Sequence, residues 1–143
     1  MEEINRVLFV CVHNSARSQM SEALLTSMGG ERFEVESAGI EPGTLSPLAV
    51  EAMADMGIDI SKNHTQSVFD LYKAGRLYTY VITVCDAASA QRCHIFPGVA
   101  ENIHWSFDDP SSFTGSHEEK LKKTIEVRDE IKQEIEKLIA EAM

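Results

Sequence analysis

The sequence predicts an α/β fold in which a four-stranded parallel sheet carries helices on both faces. Four apolar runs alternate with segments of helical periodicity, the pattern typical of parallel strands joined by helical crossovers. The runs at residues 7–10 and 77–84 are mostly apolar, which favours strands buried on both faces. Because 143 residues suit one core, we expect residues 1–143 to form a single domain.

Apolar periodicity and turn residues set the predicted boundaries. Gly29-Gly30 should end the first helix, and Ser46-Pro47 supplies the N-cap and first position of the second. The predicted strands are residues 4–11, 33–38, 77–84 and 102–107. The predicted helices are residues 17–28, 47–56, 67–73 and 116–142, with a short helical or irregular segment at 86–92. Ligands of such sheets bind at the carboxyl ends of the strands, where Cys11, Cys85 and Asp109 should lie.

Composition limits the function classes. With 13 Lys and Arg residues against 23 Asp and Glu residues, the net charge is −10, which argues against nucleic acid as a partner. No run approaches the roughly 18 apolar residues of a membrane span, and Met1-Glu2-Glu3 lacks the features of a signal peptide. Three cysteines, an odd number, suit a reducing compartment. We expect a cytoplasmic monomer without membrane association.

The most informative segment is Cys-Val-His-Asn-Ser-Ala-Arg-Ser at residues 11–18, between the first strand and the first helix. Its length allows backbone N–H groups to converge on a tetrahedral oxyanion, as in nests and at helix N-termini. Arg17 adds a planar fork of donors matched to two oxygens of the anion. The predicted oxyanion-binding residues are Val12, His13, Asn14, Ser15, Ala16 and Arg17.

Cys11 should lie beneath this anion. Converging N–H dipoles and a guanidinium stabilise a thiolate, which is the nucleophilic form of cysteine. Ser18 can donate its hydroxyl proton to that sulfur. A buried structural cysteine is the alternative, but the succession of strand, Cys-x5-Arg-Ser and amphipathic helix favours a catalytic loop.

Three further groups have open interpretations from the residues alone. Asp109 precedes a proline, so it can be a general acid on a stiffened loop, although a turn aspartate is the commoner role. Cys85 and Cys93 have neither a thioredoxin nor a zinc spacing, and two unrelated buried thiols are equally compatible. Histidines suggest a metal site only weakly, because none has the spacing of a structural zinc site. The histidines considered are His13, His94 and His104.

The segment 11–18 resembles the catalytic loop of the low-molecular-weight protein tyrosine phosphatases, and residues 14–20 are similar to the thioredoxin-coupled arsenate reductase branch. Further similar segments are residues 37–41, 57–61, 64–65 and 104–110. The resemblance therefore runs through nearly the whole chain. It implies a low-molecular-weight tyrosine phosphatase-like fold and the reduction of arsenate to arsenite.

The resemblance also implies residue roles. Cys11 would attack arsenate, with Asp109 as general acid. Cys85 would be the second thiol, which attacks Cys11, and Cys93 the third, which moves the disulfide away from the loop for thioredoxin to reduce. Three thiols are the minimum for this cascade, and the chain has three. The proposed catalytic set is Cys11, Arg17, Ser18, Cys85, Cys93 and Asp109.

The chain departs from the family pattern at several positions. Ala16 replaces an additional loop cysteine, and the third thiol lies eight positions after the second rather than the usual seven, with His94 next. No cofactor is required, but the resemblance allows a potassium ion near Asn14, Glu22 and Ser37. Ser67 replaces the carboxylate expected there.

Two other functions are compatible with the sequence. A tyrosine phosphatase needs only the loop and Asp109, but that family typically has paired tyrosines where this chain has Ser111-Ser112. A non-enzymatic thiol sensor, or an arsenite- or metal-binding protein, is the alternative from another class.

Overall fold

The structure of the protein, a computed structural model, describes residues 4–85 and 101–142, with the backbone alone at Cys85. The strands of this part are β1 (Asn5–Cys11), β2 (Phe33–Gly39), β3 (Tyr80–Cys85) and β4 (Glu101–Ser106). Its helices are α1 (Arg17–Gly29), α2 (Pro47–Ala54), α3 (Val68–Lys73) and α4 (His117–Ala142). Short 3-10 helices cover Gly30–Arg32 and Pro110–Ser112.

The four strands form one parallel sheet in the order β2-β1-β3-β4. β1 is therefore a central strand, as its uninterrupted apolar run predicts. Cys11 pairs with Gly39 of β2, and Cys85 pairs with Ser106 of β4. These residues end their strands, so the carboxyl ends of all four strands meet at one edge of the sheet.

Helices cover both faces of the sheet, which confirms the predicted layers. On one face, Phe9 and Ile82 pack in a core shared with Met20 of α1, Met53 of α2 and Ile131 of α4. On the other face, a smaller core is formed by residues of β1, β3 and α3. The residues of that second core include Leu8, Val10, Leu71 and Val81, each at most 6% exposed.

α4 is fixed to α2 by a buried cation. The guanidinium of Arg128 donates to the carbonyl of Ala52 at 2.7 Å and to the carboxylate of Asp55 at 2.9 Å. Because Arg128 is only 7% exposed, these contacts offset its loss of water. The relative position of the two helices is thereby set. Within residues 4–85 and 101–142, no helix is long and apolar enough to cross a membrane.

Two predicted boundaries were wrong by more than one residue. β3 begins at Tyr80, not at residue 77. Pairing with β1 starts only where the Thr79 N–H donates to the Arg6 carbonyl at 2.8 Å. Leu77 lies before this point and is 66% exposed. α2 ends at Ala54, not at residue 56, because its last turn tightens before the positive φ of 82° at Gly57. The predicted segment 86–92 lies outside the described residues.

Candidate active site

The loop after β1 has the shape that an oxyanion site requires. Four of its carbonyl groups point outward and accept hydrogen bonds from the segment that follows β2. In each pair the loop carbonyl accepts from a backbone N–H of the second residue: Cys11 from Ile40 at 3.2 Å, Val12 from Glu41 at 2.8 Å, His13 from Gly43 at 2.9 Å, and Ser15 from Ser46 at 2.8 Å. With these carbonyls directed away, the loop interior is left to its N–H groups.

Gly39 makes this close contact between β2 and the loop feasible. A Cβ atom at Gly39 would lie 2.9 Å from the backbone of Val12, His13 and Asn14, which is closer than real Cβ contacts allow. Any side chain there would push the loop away from the sheet edge. The requirement for glycine comes from the close approach, because Gly39 does not have a positive φ.

Hydrogen bonds around Asn14 direct two donors at Cys11. The Gln66 N–H can only donate, so its 3.0 Å bond to the Asn14 side chain identifies the oxygen of that amide. The amide nitrogen then donates to Ser18 Oγ at 2.7 Å, which leaves the Ser18 proton for Cys11 Sγ, 3.0 Å away. The Asn14 N–H also donates to Cys11 Sγ, at 3.1 Å. Two hydrogen-bond donors are therefore directed at one sulfur.

The first turn of α1 supports Asn14 from behind through a buried amide. Gln19, which is 1% exposed, donates to the carbonyl of Asn14 at 3.1 Å and to that of His64 at 3.1 Å. Its own oxygen accepts from Asn63 at 3.2 Å. These bonds hold Asn14 in a left-handed conformation, with φ at 55°, which costs free energy for a residue with a side chain.

Arg17 connects the loop to the segment that follows β4. The Arg17 guanidinium is 4% exposed and donates to the Phe107 carbonyl at 3.1 Å. Its other terminal nitrogen lies 3.4 Å from Asp109 Oδ2. Asp109 Oδ1 accepts from the Ser111 N–H at 2.9 Å, so this side chain caps a turn and faces the site. Asp109 can therefore be both a turn aspartate and a general acid, the two roles that the sequence left open.

The remaining predicted residues are placed as follows. Val12 and Ala16 are buried in the loop, whereas His13 is exposed, with its ring Nδ1 2.9 Å from the Glu41 carbonyl. Cys85 ends β3 at the same edge as Cys11. Cys93 and His94 lie outside the described residues.

Histidines do not assemble a metal centre in the part of the chain that is described. His104 Nδ1 lies 2.7 Å from Thr83 Oγ1. Among residues 4–85 and 101–142, no group of three His, Cys, Asp or Glu side chains could hold a metal ion. Trp105 is half-buried and packs against Phe9 and Phe107 on the sheet beside the Asp109 segment.

Sequence reasoning missed the supporting roles of Gln19, Gly39 and Gln66. A weak signal existed for Gln19, because a polar residue follows Ser18 directly in the first turn of a helix that must pack on the sheet. Gln66 carried no local signal, since its bond to Asn14 spans 52 residues.

Residues 6–143 match the model of the low molecular weight phosphotyrosine protein phosphatases, and the chain belongs to that family. Within it, the chain is 42% identical over 125 residues to the arsenate reductase of Bacillus subtilis strain 168. That match covers 87% of this chain and 88% of the relative.

Solved structures lead to the same branch of the family. The arsenate reductase of Archaeoglobus fulgidus superimposes with a TM-score of 0.76 at 27% identity, covering 94% of this chain and 98% of that one. A thioredoxin-dependent arsenate reductase from Corynebacterium glutamicum gives 0.70 at 29% identity, covering 98% of this chain and 62% of that one. The predicted fold and the predicted family are confirmed.

The Gln19 contacts generate a prediction for the loop. Gln19→Met keeps the side-chain volume but removes the amide, so Asn14 and His64 lose a buried donor. We expect the free energy of unfolding to fall by about 1–3 kcal/mol. Inorganic phosphate, measured as a competitive inhibitor of aryl-phosphate hydrolysis, should bind roughly tenfold more weakly because the loop N–H groups diverge.

Gln133→Met, the same substitution at an exposed position of α4, serves as the control and should change neither quantity. If phosphate binds a folded Gln19→Met protein as tightly as the wild type, the loop holds its shape without this amide.

Proposed function

We propose that the protein reduces arsenate to arsenite, with Cys11 as nucleophile and thioredoxin as the final reductant. The observation that carries this proposal is the position of Cys11 Sγ, which lies 3.1 Å from a backbone N–H donor and 3.0 Å from Ser18 Oγ beneath an oxyanion loop. The curated and solved arsenate reductases similar to this chain support the choice of substrate.

The first step is a displacement at arsenic. The Cys11 thiolate forms a sulfur–arsenic bond while a hydroxyl group of arsenate leaves as water. Asp109, as general acid, supplies the proton for that water, and its 3.4 Å distance from Arg17 keeps it beside the bound anion. Arg17 and the loop N–H groups hold the remaining oxygens, so negative charge is stabilised throughout the displacement.

The second step transfers two electrons. Cys85 attacks Cys11 Sγ, the sulfur–arsenic bond breaks, and its electron pair stays on arsenic, which leaves as arsenite. A Cys11–Cys85 disulfide has then formed. Cys93 attacks Cys85 and frees Cys11, and thioredoxin reduces the resulting Cys85–Cys93 disulfide by thiol exchange. The backbone register supports Cys85 for this role, because β1 and β3 are neighbours and Val10 pairs with Thr83.

Compartment and assembly belong to the same proposal. Three free thiols are required for each turnover, so the enzyme works in the reducing cytoplasm. A monomer is sufficient for this chemistry, because every cysteine, acid and anion-binding group assigned to it comes from one chain. A net charge of −10 repels arsenate at long range, so capture depends on the loop and Arg17.

A second activity is hydrolysis of phosphomonoesters. Phosphoryl transfer needs only Cys11, Arg17, Ser18 and Asp109, without electrons from other thiols. The match of residues 6–143 to a phosphatase family favours this activity as a companion to arsenate reduction.

Counting thiols after one exposure to arsenate, without external reductant, tests the reductase assignment. Fully reduced wild type begins with three thiols. It should release one arsenite and retain one titratable thiol, Cys11, after denaturation. Cys93→Ser should release one arsenite and retain none, because it stalls as the Cys11–Cys85 disulfide. A wild type that forms no arsenite and keeps all three thiols would refute the reductase assignment.

Two matched variants locate the electron donors in that assay. Reduced Cys85→Ser should release no arsenite and keep both remaining thiols. Cys11→Ser should lose arsenite release and aryl-phosphate hydrolysis together, because both need the same sulfur. Arsenite production by Cys11→Ser at the wild-type rate would refute the proposed nucleophile.

The role of Asp109 is tested with an aryl phosphate. Asp109→Asn preserves a side chain that can cap the following turn but removes the acidic proton. Hydrolysis at neutral pH should slow by about 10²- to 10⁴-fold, the usual contribution of a positioned general acid. Asp108→Asn makes the same change at the exposed neighbouring residue and should leave the rate near that of wild type. Equal rates for all three proteins would exclude Asp109 as the general acid and leave it only the role of capping the turn.

Potassium fits the predicted residues only in part. Burial raises the pKa of Glu22, although a hydrogen bond from Ser37 at 2.9 Å opposes this shift. A nearby cation would therefore stabilise the charged form of this carboxylate. The Asn14 side-chain oxygen already accepts from Gln66 at 3.0 Å and from Gln19 at 3.3 Å. The Ser67 hydroxyl accepts from Phe69 at 3.1 Å. Any bound potassium ion would thus stabilise the charge of Glu22 and have no direct role in the chemistry.

Thermal unfolding of wild type and Glu22→Gln tests this role. The raised pKa means that ionised Glu22 costs stability above its ordinary value of 4.5. In sodium chloride at pH 7, Glu22→Gln should therefore be at least as stable as wild type, and this advantage should vanish as the pH falls through that value. Potassium chloride should raise the wild-type midpoint by a few degrees, and not that of Glu22→Gln. Equal responses to potassium would exclude the site.

A further inference from the structure

A histidine and a threonine form a hydrogen-bonded pair on β3 and β4, beside the residue proposed as the second thiol. The two strands are paired in parallel register, with Thr83 opposite His104 and Cys85 opposite Ser106. The first pair precedes the second by two positions on each strand. Because successive residues of a strand alternate between the faces of a sheet, Thr83, His104 and Cys85 belong to the same face.

This face offers Cys85 few titratable neighbours. It is the face of the smaller core, to which Val81 of β3 contributes. The other described residues that β3 and β4 place on it are uncharged, namely Val81, Asn102 and Ser106. Among the described residues of these two strands, His104 is therefore the only base that shares a face with Cys85.

The contact with Thr83 determines which nitrogen of His104 can accept a proton. Thr83 is 8% exposed, and its hydroxyl donates to the Ile103 carbonyl at 3.4 Å. A hydroxyl has one proton, so the Thr83 oxygen is the acceptor in its 2.7 Å contact with Nδ1 of His104. Nδ1 then carries the hydrogen, and the lone pair of the neutral ring lies on Nε2.

The geometry of the sheet brings the backbone of Cys85 within reach of an imidazole at His104. Neighbouring strands are about 4.8 Å apart, and residues two positions apart along one strand are separated by about 6.6 Å. The Cα atoms of His104 and Cys85 are therefore roughly 8 Å apart. An imidazole and a thiol can bridge such a span directly or through one water molecule.

We propose that His104 is the proton acceptor that activates Cys85, with Thr83 as the positioning residue that keeps Nε2 available. The inference rests on the proposed reductase function, because only that function requires Cys85 as a nucleophile. A thiol with the ordinary pKa of about 8.5 is only about 3% ionised at pH 7. The attack on Cys11 is therefore slow unless a base removes the proton.

The second step of the reaction balances with this proton transfer. Nε2 of His104 takes the proton of the Cys85 thiol as the sulfur–sulfur bond to Cys11 forms. The sulfur–arsenic bond breaks, its electron pair stays on arsenic, and arsenite leaves. The imidazolium then gives the proton to water. Hydrolysis of a phosphomonoester uses no second thiol, so it does not depend on His104.

Arsenite release in a single turnover tests the base. His104→Asn keeps an amide that can donate to Thr83 but has no basic nitrogen. At pH 7 it should release arsenite about tenfold more slowly than reduced wild type, within the limit of roughly thirtyfold set by the ionised fraction of an ordinary thiol. At pH 9.5 such a thiol is about 90% ionised, so the difference should shrink to less than about twofold. Aryl-phosphate hydrolysis should keep the wild-type rate at both pH values.

Matched variants separate the base from its surroundings. Thr83→Val removes the hydroxyl at nearly constant volume and should slow arsenite release at pH 7 by about threefold, because the ring loses one hydrogen bond. Thr83→Ser keeps the hydroxyl and should match wild type. His117→Asn makes the same substitution at an exposed position of α4 and should also release arsenite at the wild-type rate.

Alkylation of Cys85 provides a measurement that does not depend on arsenate. In Cys11→Ser/Cys93→Ser protein, Cys85 is the only thiol, and adding His104→Asn should slow its reaction with iodoacetamide at pH 7 by about tenfold. Wild-type rates for His104→Asn in both assays, or a parallel loss of aryl-phosphate hydrolysis, would overturn the role of His104. Slower alkylation in a protein whose wild type releases no arsenite would refute the reductase function alone and support the histidine–cysteine pair.

Discussion

The active site depends on one residue held in an unfavourable backbone conformation. Asn14 has a φ of 55°, and this turn of the chain points its N–H group at Cys11 Sγ. The same residue fixes the Ser18 hydroxyl through its side-chain amide. If Asn14 relaxed to an ordinary conformation, the sulfur would lose both donors at once. The strained conformation of Asn14 therefore keeps both donors directed at the sulfur.

Such strain persists because the surroundings leave Asn14 no alternative. Its side chain is fully buried, and a buried amide that loses its partners pays the full cost of desolvation. Gln66 and Gln19 both donate to its side-chain oxygen, from two different segments of the chain. Every fully buried side-chain nitrogen and oxygen among the described residues has a hydrogen-bond partner. The polar network thus specifies one loop conformation.

Local sequence patterns predicted the fold and the loop, because the residues that determine each element are close together in the sequence. The strand, the cysteine, the arginine and the helix at residues 7–28 are contiguous, so spacing alone placed Cys11 and Arg17 together. Long-range contacts were not predictable in this way. The need for glycine at residue 39 arises only when β2 approaches the loop. Leu77 was assigned to a strand because it is apolar, but an apolar side chain does not determine the residue at which strand pairing begins. The contact between Arg17 and Asp109 spans 92 positions and was not predicted. Only the family resemblance favoured Asp109 as the acid over a turn aspartate.

On the proposed mechanism, arsenate reduction and phosphate ester hydrolysis begin with the same step, in which the Cys11 sulfur displaces an oxygen from arsenic or phosphorus. Both need a tetrahedral anion held in line with Cys11 and a proton for the departing oxygen. What separates them is whether a second sulfur can reach the adduct before water does. The parallel pairing of β1 with β3 brings the ends of those strands to one edge, and the sequence has cysteines at both ends. On the proposed mechanism, a hydrolytic site becomes a reductive one when the neighbouring strand ends in a thiol and a third cysteine accepts the disulfide, while the loop and its acid need not change.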